Sequence, residues 1–285
     1  MSATIPAKHM PSLPYTSPAT PLQTLDIWLP EAQSQDTDSS PPALWILYIH
    51  GGAWRDPTKD SHQVDTTLTH LFTSHAAAVP NIAGIARIHY LEREHGMRRW
   101  IGVGHSCGAT LLMQLVSGTG LDKETLEPAL QSPTIGPEAL ILLEGIYNIP
   151  LMLRNHAPPA CPEHISTIYK TFVKGAFGEH EEDYIKVSPV AGKYNTQQWP
   201  EGRLLVICHS YEDELVERAQ RDVMCVALDR EGWSIVMEVG DEEDEVRAEG
   251  RRVLNVRDLR GTHDWVWEDG KQIATLIAEV VGRLA

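Results

Sequence analysis

The sequence predicts an α/β domain in which a mostly parallel central sheet carries helices on both faces. Three observations lead there. Short, continuous apolar runs at 44–49, 139–143 and 203–208 have the composition of strands covered on both sides. Stretches of helical period alternate with them, and the chain closes on an amphipathic helix whose apolar face is Ile273, Leu276, Ile277, Val280, Val281 and Leu284. Finally, residues 100–113 place an apolar run, a Gly-x-Ser-x-Gly turn centred on Ser106 and a helical run in the order strand, turn, helix.

At 285 residues and 42% hydrophobic the chain can bury one sizeable core. A single domain over 24–285 is expected, behind an extended tail over 1–23 that is rich in Pro, Ser and Thr. The formal net charge of −15 argues against nucleic acid or an anionic membrane as partner, because both require basic patches. The acidic run at 241–245 reads as a solvated loop. Cys107, Cys161, Cys208 and Cys225 are widely spaced, so neither a zinc site nor a disulfide framework is signalled; no metal and no cofactor are expected. Free thiols, together with the lack of a secretory apolar segment or a bilayer-length apolar run, suggest a reducing, cytoplasmic setting.

Taken in order, 25–29 alternates as a half-buried strand and 33–42 is a polar loop. The buried strand at 44–49 runs into His50-Gly51-Gly52-Ala53-Trp54. A helix is expected over 64–78 and a strand over 82–90. Only 91–99 then remains before the Ser106 strand, too short for an ordinary crossover between parallel strands, which takes a dozen residues or more. Past the turn, the strand at 139–143 leads into Glu144, and 145–195, with Pro158, Pro159, Pro162 and Pro189, reads as an irregular cap. A strand at 203–208, a helix ending near Arg230, and strands at 234–239 and 253–259 follow.

Ligands of open α/β sheets meet the carboxyl ends of the strands, and the polar residues just past those ends are His50 to Trp54, Ser106, Glu144, Asp213 and His263. A serine hydroxyl needs a base to remove its proton, and the base needs an acid to fix its tautomer. Ser106, Asp213 and His263 supply nucleophile, acid and base; Glu144, Glu212, Glu214 and Asp264 compete for the acid, with Glu144 the main rival. Gly104 and Gly108 keep the turn around Ser106 small. The amide of Cys107 opens the following helix, and with the amides of Gly52 and Ala53 it forms the expected oxyanion hole. His50, Gly51 and Trp54 support that loop, and the Cys107 thiol is expected to point away from Ser106 and pack.

With these residues assembled, the sequence resembles the α/β-hydrolase fold and, more narrowly, the fungal kynurenine formamidases. The matches are His50-Gly51-Gly52-Ala53-Trp54, Gly104-His105-Ser106-Cys107-Gly108-Ala109-Thr110, Asp213-Glu214-Leu215-Val216 and Gly261-Thr262-His263-Asp264. The resemblance implies hydrolysis of N-formyl-L-kynurenine to kynurenine and formate, in tryptophan breakdown toward NAD, and it allows a homodimer. Family members carry a longer segment, including a helix, before the Ser106 strand; here it survives at most as 91–95. Two other readings stay open: a carboxylesterase of the hormone-sensitive-lipase type, and a catalytically silent binding protein of the same fold.

Overall fold

A computed structural model describes residues 7–14, 24–30, 44–85, 97–120, 135–236 and 251–285. Among them nine strands form one sheet: β1 (Ala7–Pro14), β2 (Thr24–Pro30), β3 (Leu44–Ile49), β4 (Ile82–Ile85), β5 (Trp100–His105), β6 (Ala139–Leu143), β7 (Leu204–Ser210), β8 (Ser234–Val236) and β9 (Val253–Leu259). Their order is β1-β2-β4-β3-β5-β6-β7-β9-β8. β1 and β2 join antiparallel, and every pairing from β4 to β8 is parallel. The expected mostly parallel sheet of the α/β-hydrolase fold is therefore present.

The continuous apolar strands are buried on both faces because alternate residues feed two cores. Ile46, Ile101, Val103, Ile141, Leu143 and Val206 pack with α1 (Asp65–Ser74) and with the closing helix. Leu47, Leu140, Leu142, Leu205 and Ile207 pack with Leu112, Met113, Met224 and Leu228 on the opposite face. Those last four belong to α2 (Cys107–Ser117) and, after the cap helices α3 (Ile149–Asn155) and α4 (Glu163–Phe177), to α5 (Ala219–Arg230). The chain ends in α6 (His263–Asp269) and α7 (Lys271–Leu284).

Two expectations are corrected. The stretch Ala7–Pro14, expected as part of an extended tail, is extended but pairs with β2 as an edge strand. An edge tolerates its prolines, and the register slips between Met10 and Leu13, where the Ser12 amide donates to Asp26 Oδ1 at 2.9 Å. Likewise, the expected irregular cap at 145–195 contains α3, α4 and a short helical turn at Tyr184–Val187. Its prolines act as helix starters: Pro150 lies in the first turn of α3 and Pro162 caps α4. His263, just past the end of β9, is the first residue of α6.

The expected strand at 82–90 is described only as far as Ile85, where it is an inner strand between β2 and β3. The helix expected at 91–95 lies outside the described residues, as do 86–90 of that strand and the acidic run at 241–245. Among the described residues no helix is long and apolar enough to cross a membrane.

Candidate active site

The site is built at the carboxyl ends of β3, β5, β6, β7 and β9. Ser106 sits between β5 and α2 at φ 56°, ψ −123°, a backbone conformation that costs a non-glycine residue about 1–3 kcal/mol. Its amide donates to the Leu143 carbonyl at 2.8 Å, and its carbonyl accepts from the Ala109 amide at 3.1 Å, so both sides of the turn are held. The small neighbours are obligatory. A Cβ on Gly108 would lie 2.1 Å from the Ile49 carbonyl oxygen, and one on Gly104 would lie 2.6 Å from the Ala109 nitrogen. Helix α2 thus starts against the end of β3, with the unpaired amides and positive end of its first turn at Ser106.

Asp213 and His263 come together from the loops after β7 and β9. His263 Nδ1 lies 2.9 Å from Asp213 Oδ2, and both side chains are buried. The other carboxylate oxygen of Asp213 accepts from the amides of Leu215 and Val216, each at 2.9 Å. Burial alone would push this carboxyl up; the hydrogen bond and charge of His263 and the two amides outweigh it and hold the pKa below the usual range.

The four competing carboxylates have other partners. Glu212 and Glu214 accept from the amides of Gly261 (3.3 Å) and His263 (3.2 Å), and Ser210 Oγ donates to the Gly261 carbonyl at 2.6 Å. These contacts stitch the acid loop to the histidine loop. Asp264 accepts from Trp267 Nε1 at 3.0 Å and pairs with Lys59 at 3.3 Å. Glu144 is closest in kind to Asp213 but differs in state. It is fully buried at φ 51°, its Oε2 is 3.6 Å from His263 Nδ1, and burial followed by the charges of Asp213 and Glu214 pushes its pKa up to about 10. Glu144 is therefore a neutral acid at neutral pH.

Behind the pair lies His105, whose Nε2 is 3.1 Å from the His263 carbonyl oxygen and 3.2 Å from Glu144 Oε2, with the two imidazoles 4.7 Å apart. Burial, then the neighbouring His263, drives its pKa down to about 3, so it is neutral. Donor atoms of His105, Glu144 and His263 all fall within 4.8 Å of one another, the spacing of a cation cluster. His263 Nδ1 is taken by Asp213 and His105 Nε2 by the His263 carbonyl, while among the described residues His105 Nδ1 and Glu144 Oε1 find no hydrogen-bond partner.

The loop after β3 passes directly over the turn: a Cβ on Gly51 would lie 3.2 Å from Ser106 Cβ. Gly52 at φ 113°, Ala53 at 46° and Trp54 at 65° give it a run of left-handed residues. The Gly51 amide donates to the buried Gln63 Oε1 at 3.1 Å, and the Trp54 amide donates to Cys107 Sγ at 3.3 Å. The Cys107 side chain is buried away from solvent, as expected, and burial pushes its thiol up to about 11 despite these amides. His50 is partly buried beside the loop, its ring nitrogen 2.7 Å from the Gly51 carbonyl oxygen. The Trp54 indole packs edge-on against Phe177 at 4.9 Å and near Phe172, tying the loop to α4. His105 takes the structural position beside the motif that the sequence suggested, whereas Gln63 and the stitching by Glu212 and Glu214 are supports that sequence reasoning did not assign. Of these, Gln63 carried a local signal, lying in a turn capped by Asp60.

No protein-family model matches the chain. Among curated proteins it is similar to a kynurenine formamidase-like hydrolase, fscH, of Fusarium equiseti, at 30% identity over 97% of this chain and 96% of that protein. It is also similar to kynurenine formamidases of Aspergillus versicolor (26%, over 89% and 93%) and Meyerozyma guilliermondii (25%, over 84% and 85%). The Fusarium alignment runs over 320 positions against a chain of 285 residues, so that relative carries segments absent here. Among solved structures, a carbohydrate esterase from gut microbiota covers 98% of this chain and 99% of its own at a TM-score of 0.60 and 14% identity. Esterase B of Lactobacillus rhamnosis covers 98% and 86% at 0.63 and 11%. At those identities the solved structures speak to the fold, which is that of the α/β-hydrolases. Taken with the full-length likeness to the Fusarium protein, they lead to one conclusion: the chain belongs to the kynurenine formamidase family of the α/β-hydrolase fold.

Proposed function

We propose that the protein hydrolyses N-formyl-L-kynurenine to L-kynurenine and formate, using Ser106, His263 and Asp213. The observation that carries this is the buried 2.9 Å pair of His263 Nδ1 and Asp213, at the same carboxyl edge of the sheet as a serine held at positive φ at the start of a helix. Asp213, ionised, accepts a hydrogen bond from Nδ1–H, which fixes the tautomer and leaves Nε2 as the base. Ser106 Oγ attacks the formyl carbon as its proton passes to Nε2. The carbonyl oxygen becomes an oxyanion held by the amides of Gly52, Ala53 and Cys107. His263 then gives the proton to the departing aryl nitrogen, releasing kynurenine and leaving a formyl ester on Ser106. Water, deprotonated by His263, attacks that ester; formate leaves and Ser106 regains its proton.

His50, Gly51 and Trp54 shape the oxyanion loop, and Gly104 and Gly108 let α2 approach the sheet. The names of the curated relatives support the formamide substrate, and their agreement across several fungi supports a place in tryptophan breakdown. The four free cysteines are in keeping with a cytoplasmic setting, and a homodimer remains part of the proposal on family likeness alone.

A second reading, a carboxylesterase, is favoured by the esterase neighbours, since the same groups cleave an ester. Purified chain is expected to show kcat/KM for N-formyl-L-kynurenine well above that for short p-nitrophenyl esters, with both activities lost in Ser106→Ala. A preference for the esters would sink the formamidase reading and leave the esterase.

A further inference from the structure

The loop over Ser106 carries two adjacent non-glycine residues in left-handed conformation, Ala53 and Trp54, which relax unless held. Both peptide planes flanking Ala53 are anchored. The plane before it is fixed through the Gly52 carbonyl, which accepts from the amides of Arg55 at 3.1 Å and Asp56 at 2.9 Å. The plane after it is fixed by the Trp54 amide, which donates to Cys107 Sγ at 3.3 Å. Because a trans peptide is planar, the Ala53 N–H points opposite the Gly52 carbonyl, so its direction follows from these two anchors. The sulfur is the acceptor that the second anchor requires, and the residue bearing it is the one that follows the proposed nucleophile.

We propose that Cys107 is a positioning residue for the oxyanion loop: its thiol sulfur, by accepting from the Trp54 amide, keeps the Gly52 and Ala53 amides aimed at the oxyanion that forms over Ser106. The role requires no thiolate and no thiol chemistry. It links the loop to α2 directly, so that the donor from Cys107 and the donors from the loop move as one unit. It rests on the reading of Ser106 as nucleophile. Removal of the acceptor leaves a buried amide without a partner, and donors displaced by an ångström lose about a hundredfold in rate.

The test compares Cys107→Ala, which removes the acceptor, with Cys107→Ser, which keeps one. Three quantities are read: kcat and KM for N-formyl-L-kynurenine, kcat for p-nitrophenyl acetate, and the rate of Ser106 labelling by an alkyl fluorophosphonate. Cys107→Ala is expected to lower kcat and the labelling rate about ten- to a hundredfold while KM stays within about threefold, and Cys107→Ser to recover most of the loss. A purely packing role would move the melting temperature without this order in kcat. Equal losses in the two variants, or a Cys107→Ala variant within about twofold of the parent, would overturn the proposal, since a lost oxyanion donor costs far more.

Labelling and ester turnover do not depend on the formyl substrate. A parent chain that labels at Ser106 but leaves formylkynurenine intact ends the formamidase reading while the Ala-against-Ser comparison still decides this one. A parent chain that does not label ends both. Should Cys107→Ala not fold, hydrogen exchange over 51–56 in the unsubstituted chain decides: slow exchange of the Trp54 amide supports the clamp, and exchange at the rate of an unprotected amide overturns it.

Discussion

Ser106 is a buried serine that stores backbone strain at positive φ, so Ser106→Ala is expected to abolish turnover of N-formyl-L-kynurenine while the melting temperature holds or rises. Asp213 and Glu144 divide the two states of a carboxyl between them, one held ionised by His263 and two amides, the other held neutral by burial. Asp213→Asn should lower kcat by about 10⁴-fold, because an amide favours the wrong imidazole tautomer. Glu144→Gln should leave kcat within a few-fold, since it replaces one neutral hydrogen-bonding group by another; if Glu144→Gln suffers the larger loss, the acid is Glu144. Stability offers an independent check. A carboxyl whose pKa is higher folded than unfolded binds its proton more tightly when folded, so it costs stability increasingly as pH rises from the ordinary glutamate value toward about 10. The melting temperature of Glu144→Gln should therefore gain on that of the parent between about pH 5 and 8, and a gap independent of pH would show Glu144 ionised in the fold.

At the level of elements, the site depends on how closely α2 meets the end of β3. Gly108→Ala places a methyl 2.1 Å from a carbonyl oxygen of the backbone, which cannot yield as a side-chain tip can. A loss of roughly 3 kcal/mol or more is expected, read as a drop in the midpoint of urea unfolding, together with loss of activity; an unchanged midpoint would mean that β3 and α2 sit farther apart. The strand-turn-helix order around Ser106 was legible because glycine spacing, an apolar strand and a helical run are local signals. The cap was not, because Pro158, Pro159 and Pro162 carry the same local message at a helix start as in a loop. The packing of Tyr169 and Val173 of α4 with Ile146, Ile149 and Val216 decided between them. Edge strand β1 escaped for a similar reason, as its pairing rests on Asp26 holding His9 and Ser12 across the sheet.

For the whole molecule, the formamidase reading stands on the joint presence of a full-length relative and a buried acid-base pair at the sheet edge that also carries Ser106. The sequence by itself determined the parallel sheet, the identities of Ser106, Asp213 and His263 as candidates, and the loop from His50 to Trp54, because each follows from short-range pattern and from order along the chain. Tertiary structure alone decided which carboxyl faces His263, and that Glu212 and Glu214 serve backbone amides instead. It alone set Glu144 neutral and turned the Cys107 sulfur toward the Trp54 amide. Those outcomes depend on burial and on distances of a few ångströms between segments as far apart in sequence as 54 and 107 or 213 and 263, and no local pattern encodes either quantity.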